Sequence, residues 1–365
     1  MPKIREIKAH PIEVPKKPWA NAKGSTSVQR AVIAEVITDE GISGFGEINP
    51  GYGIPRETLQ EILTAIGTFL TDALVGQELD ILQVIRRMDR ALHNHQMSKD
   101  AVQTAALDAL GKTLGVPLHT LLGGRLVDRV NLAGPIGIGT VEQTLQEADQ
   151  HLNERGFRAL KIKIGKNPAE DIRRIREVRK QVGDDIVIRV DINESYDLST
   201  ALRFIHAVED CNLQSIEQPV PAWHTEGLRR VTNATAALIM GDESAQSPTE
   251  AMQLAQSNLV TAFHIKGAGR GGPVGAQRIG QIGALAGIPS ICGRISTLTL
   301  GAAVDLHIVA ATPGVLLPGE MAGHLFAFDD ITTERMELKD GSVPVPTGPG
   351  IGFEVDRAKL EKYRI

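Results

Sequence analysis

Phe157-Arg158-Ala159-Leu160-Lys161-Ile162-Lys163 is a mainly apolar run that ends in two lysines, and four more runs of its kind follow. Asp191-Ile192-Asn193 follows 186–190, Glu217 follows 213–216, Asp242-Glu243 follows 237–240, and Lys266 closes 261–265. Lys163 and Asp191 are 28 positions apart, and the next three steps are 26, 25 and 24. A strand of about six residues, a helix and two short loops make one β/α unit of roughly that length. Polar groups at the C-terminal ends of successive parallel strands are what a (β/α)8 barrel enzyme requires.

Working outward, the pattern predicts strands at 130–136, 157–164, 186–192, 213–217, 237–242, 261–266, 289–293 and 314–318. Helices are expected between them, among others at 168–182, 198–208 and 248–257, opened by Asn167, Ser199 and Ser247-Pro248. Eight strands alternating with helices favour a barrel over a doubly wound sheet. Upstream, 3–14 and 31–47 read as strands, with a hairpin turn at Asp39-Glu40-Gly41. Pro, Lys, Gly and Ser mark 15–27 as a loop, and 49–55 as a second loop before helices at about 56–72 and 79–115. The expected fold is α/β: a (β/α)8-type TIM barrel over 126–325, an N-terminal α+β capping domain over 1–125, and a segment 326–365 that packs back on the cap.

The bulk properties remove several function classes. Apolar residues are 42 % and charged ones 23 % of 365, an ordinary globular balance. A net charge of −5 argues against a nucleic-acid partner. No apolar run approaches the roughly 18 residues of a membrane span. The start, Met1-Pro2-Lys3-Ile4-Arg5-Glu6, carries no apolar signal segment, so the expectation is a cytoplasmic protein. Cys211 and Cys292 make neither a disulfide framework nor a zinc pattern and read as reduced packing residues.

Side chains two apart on a strand share a face, about 6.6 Å apart. Lys161 and Lys163 therefore point together into the barrel mouth, where mutual repulsion is expected to lower a lysine pKa toward that of a general base. Asp191, Glu217 and Asp242 come from three adjacent strands and converge. Three such carboxylates in one apolar mouth are stable only around a cation, and all-oxygen ligation suits Mg2+, with Mn2+ as the alternative. Asn193 and Glu243 would support those acids or touch substrate. Lys266 on the sixth strand faces Lys163 on the second across the barrel. A base on each face of a bound carboxylate is what proton removal and return at an α-carbon demand, through an enediolate stabilised by positive charge.

Lys161-x-Lys163, Asp191-x-Asn193, Glu217-Gln218-Pro219, Gly241-Asp242-Glu243-Ser244 and Lys266 followed by Gly271-Gly272 resemble the enolase superfamily. Within it the chain resembles the muconate lactonizing enzyme subgroup; the mandelate racemase subgroup uses a His–Asp pair where this chain has Lys266. Gly44-Phe45-Gly46-Glu47, Ala106-Leu107-Asp108-Ala109, Leu121-Leu122-Gly123-Gly124 and the tail Pro346-Thr347-Gly348-Pro349-Gly350-Ile351-Gly352 extend the likeness over nearly the whole chain. The resemblance implies that Asp191, Glu217 and Asp242 bind Mg2+. It implies that Lys163 and Lys266 are the acid/base pair and that Lys161 polarises the substrate carboxylate. The cap would close the barrel, its loops 15–27 and 49–55, with Tyr52 in the second, setting specificity for a small-molecule carboxylate. A homo-oligomer, octamer or dimer, is the implied assembly.

Two stretches depart from the subgroup. In Cys292-Gly293-Arg294-Ile295-Ser296-Thr297, Arg294 stands at the mouth, either to clamp a second substrate carboxylate or to pair with an acid such as Glu243. In Pro318-Gly319-Glu320-Met321-Ala322-Gly323, Glu320 resembles the glutamate of muconate enzymes and joins the candidate catalytic set. That Pro-Gly-acid start is also similar to succinylbenzoate synthases and N-acylamino acid racemases. The Asp-x-Asp of dipeptide epimerases is absent. His264, on the face of Lys266, reads as interior packing, with tuning of Lys266 as the alternative. The loop 267–272 is a weak dinucleotide signal, since no ribose-binding acid follows at the right distance. A Schiff-base aldolase would leave the three carboxylates without a task. The expected activity is a Mg2+-dependent, muconate cycloisomerase-like lactonisation, with racemisation or epimerisation of an N-acyl amino acid or proline derivative second and dehydration third.

Overall fold

The computed structural model describes residues 1–50 and 56–365. It opens on an antiparallel sheet of β1 (Ile4–Asn21), β2 (Gly24–Thr38) and β3 (Ser43–Ile48), in that order. Alternation along β2 divides two interiors. Val32, Ala34 and Val36 join Ile62, Ile66, Leu70, Val84, Val102 and Ala105 in a core between sheet and helices. Ala31 and Ile33, with Ile12 and Phe45, face the other way into the large core shared with the barrel and tail. Gly44 and Gly46 lie on the helix Gln96–Leu114 so closely that an added Cβ would stand 2.1 Å from the carbonyl oxygens of Ala105 and Ala101. Only glycine permits that approach.

Two expectations for this region fail. Residues 15–27 are not a loop: β1 and β2 pair through them, from Pro15 opposite Val28 to Asn21 opposite Gly24. A register shift between Pro15 and Trp19 absorbs the missing proline donors, and the Asn21 side chain closes the turn by accepting from the backbone N–H groups of Lys23 and Gly24 (2.9 and 3.1 Å). The helix expected over 79–115 is two, Ile81–Ala91 and Gln96–Leu114. Asn94 and His95 break it by adopting left-handed backbone, φ 54° and 49°.

Seven parallel strands form the barrel wall: β5 (Gly134–Ile136), β6 (Ala159–Lys163), β7 (Val187–Asp191), β8 (Ser215–Glu217), β9 (Leu238–Gly241), β10 (Ala262–Ile265) and β11 (Ser290–Cys292), neighbours in chain order. Residues 314–320 fill the eighth place. On one side Leu316 N–H donates to Ser290 (2.7 Å) and Glu320 N–H to Cys292 (2.8 Å); on the other Gly319 N–H donates to Asn131 (2.7 Å) and Ala133 N–H to Gly319 (2.8 Å). Pro313 and Pro318 lack the donors for a full ladder, so this stave pairs only in single bridges. The first expected strand splits, because β4 (Arg129–Asn131) turns away to pair with β12 (Ser342–Pro344).

The helices Pro168–Val182, Leu198–Ala207 and Pro248–Gln256 fall between strands as expected. Asn167 and Ser247 cap the first and third, but Asp197, not Ser199, caps the second, accepting from Thr200 N–H at 2.7 Å. The tail returns to the cap: Ile365 N–H donates to Pro11 (3.1 Å), Glu13 N–H to Tyr363 (2.9 Å), and Arg357 pairs with buried Glu35. Cys211 and Cys292 are buried free thiols. Among the described residues no helix is long and apolar enough to cross a membrane.

Candidate active site

Register lines up the functional side chains. Lys163 stands opposite Asp191, Asp191 opposite Glu217, and Glu217 opposite Met240, two positions before Asp242. Each strand turns alternate residues inward, so β6 presents Lys161 and Lys163, β7 Arg189 and Asp191, and the β10 end His264 and Lys266. In strand order β6 and β10 are four places apart, on opposite sides of an eight-stave ring. A cavity of about 250 Å3 opens at this end. Lys161, Lys163, Asp191, Asn193, Glu217, Asp242, Lys266, Arg294 and Glu320 all line it, beneath Trp19, Asn21, Asn49 and Arg56 of the cap. The remaining candidate, Tyr52, lies outside the described residues.

The acids and bases alternate around the wall. Lys163 donates to Asp191, whose carboxylate also accepts from the backbone and side-chain nitrogens of Asn193 at 2.9 and 3.2 Å. Lys161 bridges Glu217 and Glu320, the latter at 2.8 Å. Lys266 lies 2.9 Å from Asp242, which Arg270 also engages. Gln218, held at φ 36°, places the loop that carries Asp242: its Oε1 accepts from the backbone N–H of Asp242 (3.0 Å) and Ser244 (3.1 Å).

The lowering expected for Lys161 and Lys163 does not occur. Burial pulls down the Lys163 and Lys161 ammonium groups, but the charges of Asp191 and Glu217, and of Glu217 and Glu320, outweigh it and raise both. Carboxylates, not the neighbouring lysine, dominate that side. Lys266 is lowered, because burial exceeds the help it has from Asp242 while Arg270 and Arg56 push the same way as burial.

The donor set fits a divalent cation. Burial and the charge of Glu217 push the Asp191 carboxyl up, so that acid gains from more positive charge. Buried Asn193 Oδ1 has no hydrogen-bond partner, whereas the His264 ring, 3.2 Å from Glu217 and 3.5 Å from Asp242, has its pKa raised to about 9 by those carboxylates against burial. Lone pairs without donors beside three carboxylates are the environment a cation matches. Among the described residues the ligand atoms that stand within 4.8 Å of one another are those of Glu217, His264 and Glu320.

Arg294 pairs with an acid, as one of the two expectations had it, but the acid is Asp305 and not Glu243. Its Nε donates to Asp305 at 3.0 Å. Glu243 instead accepts from Lys23, at the β1–β2 turn, which also reaches Glu194 (2.9 and 3.1 Å). Burial, followed by Asp242 and Asp191, pushes the Glu243 carboxyl up to about 7. Glu320 sits between Lys161 and Arg189, the latter at 3.1 Å, and those two charges hold its carboxyl down against burial. Arg189, Arg270, Gln218 and Lys23 escaped the sequence reading. Arg189 left a signal, two residues before Asp191 on the same inward face, and Gln218 stood inside the motif Glu217-Gln218-Pro219 without a role assigned to it.

Residues 4–123 match the mandelate racemase / muconate lactonizing enzyme N-terminal domain, and 143–359 match the enolase C-terminal domain-like family. Muconate cycloisomerase 1 of Pseudomonas putida is 30% identical over 365 residues, covering 99% of this chain and 97% of its own. A chloromuconate cycloisomerase of Pseudomonas putida is 31% identical over 344 residues, 93% of each. Among solved structures, 2-chloromuconate cycloisomerase from Rhodococcus opacus 1CP superposes with TM-score 0.95 at 27% identity over the whole of both chains. L-Ala-D/L-Glu epimerase from Bacillus subtilis superposes with TM-score 0.90 at 29% identity, covering 96% of this chain and 98% of that one.

Proposed function

The chain belongs to the mandelate racemase / muconate lactonizing enzyme family of the enolase superfamily, and on that basis we propose that it is a cycloisomerase closing a muconate-like dicarboxylate into a lactone. It is an isomerase of the muconate lactonizing kind on a capped barrel. The observation that carries the proposed reaction is the row of Asp191, Glu217 and Asp242 on adjacent staves, with Lys163 and Lys266 on opposite sides.

A Mg2+ or Mn2+ ion held by the three acids would supply positive charge that stabilises an enediolate. The residues do the rest. Lys161 aims its ammonium at the substrate carboxylate, and Glu320 and Glu217 keep it charged and fixed. In the cyclising direction one carboxylate oxygen of the substrate adds to the distal alkene carbon and breaks its π bond. Lys163 then delivers its proton to the α-carbon of the other carboxylate. Lactone opening runs the same path backward, with neutral Lys163 removing that proton. Asn193 orients Asp191, and Arg294 grips the distal carboxylate. We also propose a cytoplasmic homo-oligomer, its copy number readable by light scattering.

The decisive experiment is turnover of cis,cis-muconate and its chloro derivatives in D2O, with and without EDTA. Cycloisomerisation places one deuterium on the carbon α to the lactone's free carboxylate and leaves recovered muconate unlabelled; a product free of deuterium there defeats the assignment. One second reading has support. Lysines facing each other across the cavity and the likeness to the epimerase fold favour racemisation of an amino acid derivative. That reaction would exchange the α-hydrogen of recovered substrate instead.

A further inference from the structure

Glu47, the last residue of the stretch Gly44-Phe45-Gly46-Glu47, has no part in the chemistry above. It stands on β3 of the cap, 3% exposed, and is not among the described residues that line the cavity. Yet both its oxygens reach the barrel. Oε1 accepts from the backbone N–H of Leu298 and Oε2 from that of Gly301, each at 2.8 Å. Those amides open the helix Thr299–Ala311, where negative charge is favoured. Gly301 makes the room: an added Cβ there would stand 2.9 Å from Thr297 Cγ2 and 3.0 Å from Glu47 Oε2.

The same turn of helix holds Arg294. Its Nη2 donates to the Gly301 carbonyl at 3.3 Å, and its Nε donates to Asp305, one turn further on, at 3.0 Å. Glu47 therefore takes the N–H of the very residue whose carbonyl Arg294 takes. Upstream, Gly293, Arg294, Ile295 and Ser296 line the cavity, and the Leu298 amide fastens the end of that segment to the cap. Any shift of the helix start moves both anchors of the guanidinium.

We propose that Glu47 is a positioning residue: from the cap it fixes the start of the helix Thr299–Ala311, and thereby the place of the Arg294 guanidinium over the cavity. The inference rests on the assignment of Arg294 to the distal carboxylate of the substrate. Ionised Glu47 attracts both the helix start and Arg294, and the neutral acid holds them more weakly. The charged groups that face it are Arg294, from the segment after β11, and Asp330, from the tail, which accepts from the Thr299 N–H at 3.0 Å. Asp305, on the helix itself, is paired with that same guanidinium. Burial, helped slightly by Asp330, outweighs Arg294 and the two N–H groups and pushes the Glu47 carboxyl up to about 7. The grip is therefore full above that pH and weakens as pH falls through it.

The test uses the full chain with Mg2+ and cis,cis-muconate between pH 8 and pH 6, where carboxylic acids of ordinary pKa stay ionised. KM of the unaltered protein should rise about tenfold across that range. In Glu47→Gln, KM should be raised about tenfold already at pH 8 and stay level down to pH 6, with kcat at each pH within about threefold of the unaltered protein. A merely structural role would lower the urea midpoint and leave the pH profile of KM untouched. The same KM profile in a folded Glu47→Gln protein and the unaltered one overturns the positioning role. So does a KM of the unaltered protein that is level from pH 8 to pH 6, a result that needs no variant to fold. The double variant Arg294→Met/Asp305→Leu keeps two failures apart. If its KM matches that of the unaltered protein, the reading of Arg294 falls and the inference with it; if its KM rises while that of Glu47→Gln does not, Glu47 alone loses its role.

Discussion

Arg294 Nε and Asp305 Oδ2 are 3.0 Å apart, with side chains 9% and 0% exposed. Arg294 also donates to the Gly301 carbonyl (3.3 Å), and the helix Thr299–Ala311 that carries Asp305 is held at its start by the carboxylates of Glu47 and Asp330. The guanidinium is thus braced from behind while it lines the cavity.

Removing that brace should separate binding from stability. Arg294→Met leaves Asp305 as an unpaired buried charge and should cost about 3–5 kcal/mol in urea unfolding. Adding Asp305→Leu should recover much of it. Asp305→Asn keeps the guanidinium but loosens it, so KM for a dicarboxylate should rise about tenfold with kcat within about threefold. An unchanged KM removes Arg294 from the substrate-binding set.

Lys163→Ala should lower kcat by about 100- to 10,000-fold while Mn2+ affinity, read by calorimetry, stays within a few-fold. Lys266→Ala should cost less in a cycloisomerase. If the two substitutions instead each abolish exchange from one enantiomer of a racemising substrate, the second reading replaces the first.

Glu217→Gln should weaken divalent-ion binding and turnover together, because it deletes a charge while retaining shape. Turnover at full rate with undiminished metal affinity would count against Glu217 as a ligand.

Acid should destabilise the fold through His307. Its Nδ1 accepts from the backbone N–H of His119 (3.3 Å) and its Nε2 donates to the Ile351 carbonyl (3.1 Å), partners that assign a neutral ring. Burial pushes its pKa down to about 3 from 6.5. Between those values the unfolded chain binds a proton that the native state does not, so this contribution is complete above pH 6.5 and is lost as pH falls. The loss is about 1.4 kcal/mol for each pH unit. Chemical unfolding from pH 7 to 4.5 should show a shallower decline for His307→Gln than for the unaltered protein.

Lys23→Ala should raise KM more than it lowers kcat, since the lysine bonds Glu194 and Glu243 at the cavity rim but does not line the cavity. The difference should shrink in high salt, as screening weakens the pairing it removes.

Much of the barrel was legible because its signal is periodic and local. Each polar residue ending an apolar run marks a strand end, so Lys163, Asp191, Glu217, Asp242 and Lys266 could be placed by counting alone. The hairpin through 15–27 was not legible, because proline is read as a breaker, while pairing across β1 and β2 tolerates it at a register shift. Asp197 displaced Ser199 as a cap because only the observed loop geometry decides which of two good caps reaches Thr200. Arg270 and Gln218 lie on loops, where no alternation forecasts direction. The lysine pKa values were misjudged for a related reason: Lys161 and Lys163 are neighbours in sequence, but the carboxylates that outweigh each other's repulsion arrive from other strands.

Gly44 and Gly46 set the cap sheet directly on helix backbone. At those two positions sheet and helix meet without intervening side chains, and the apolar core beside them fills the rest of the interface, so the cap is a stiff plate. Retuning of what it admits is then left to the projecting β1–β2 turn, where residues can be exchanged without disturbing the plate or the proton chemistry below. One scaffold can in this way be fitted to new guests by editing a few fringe positions.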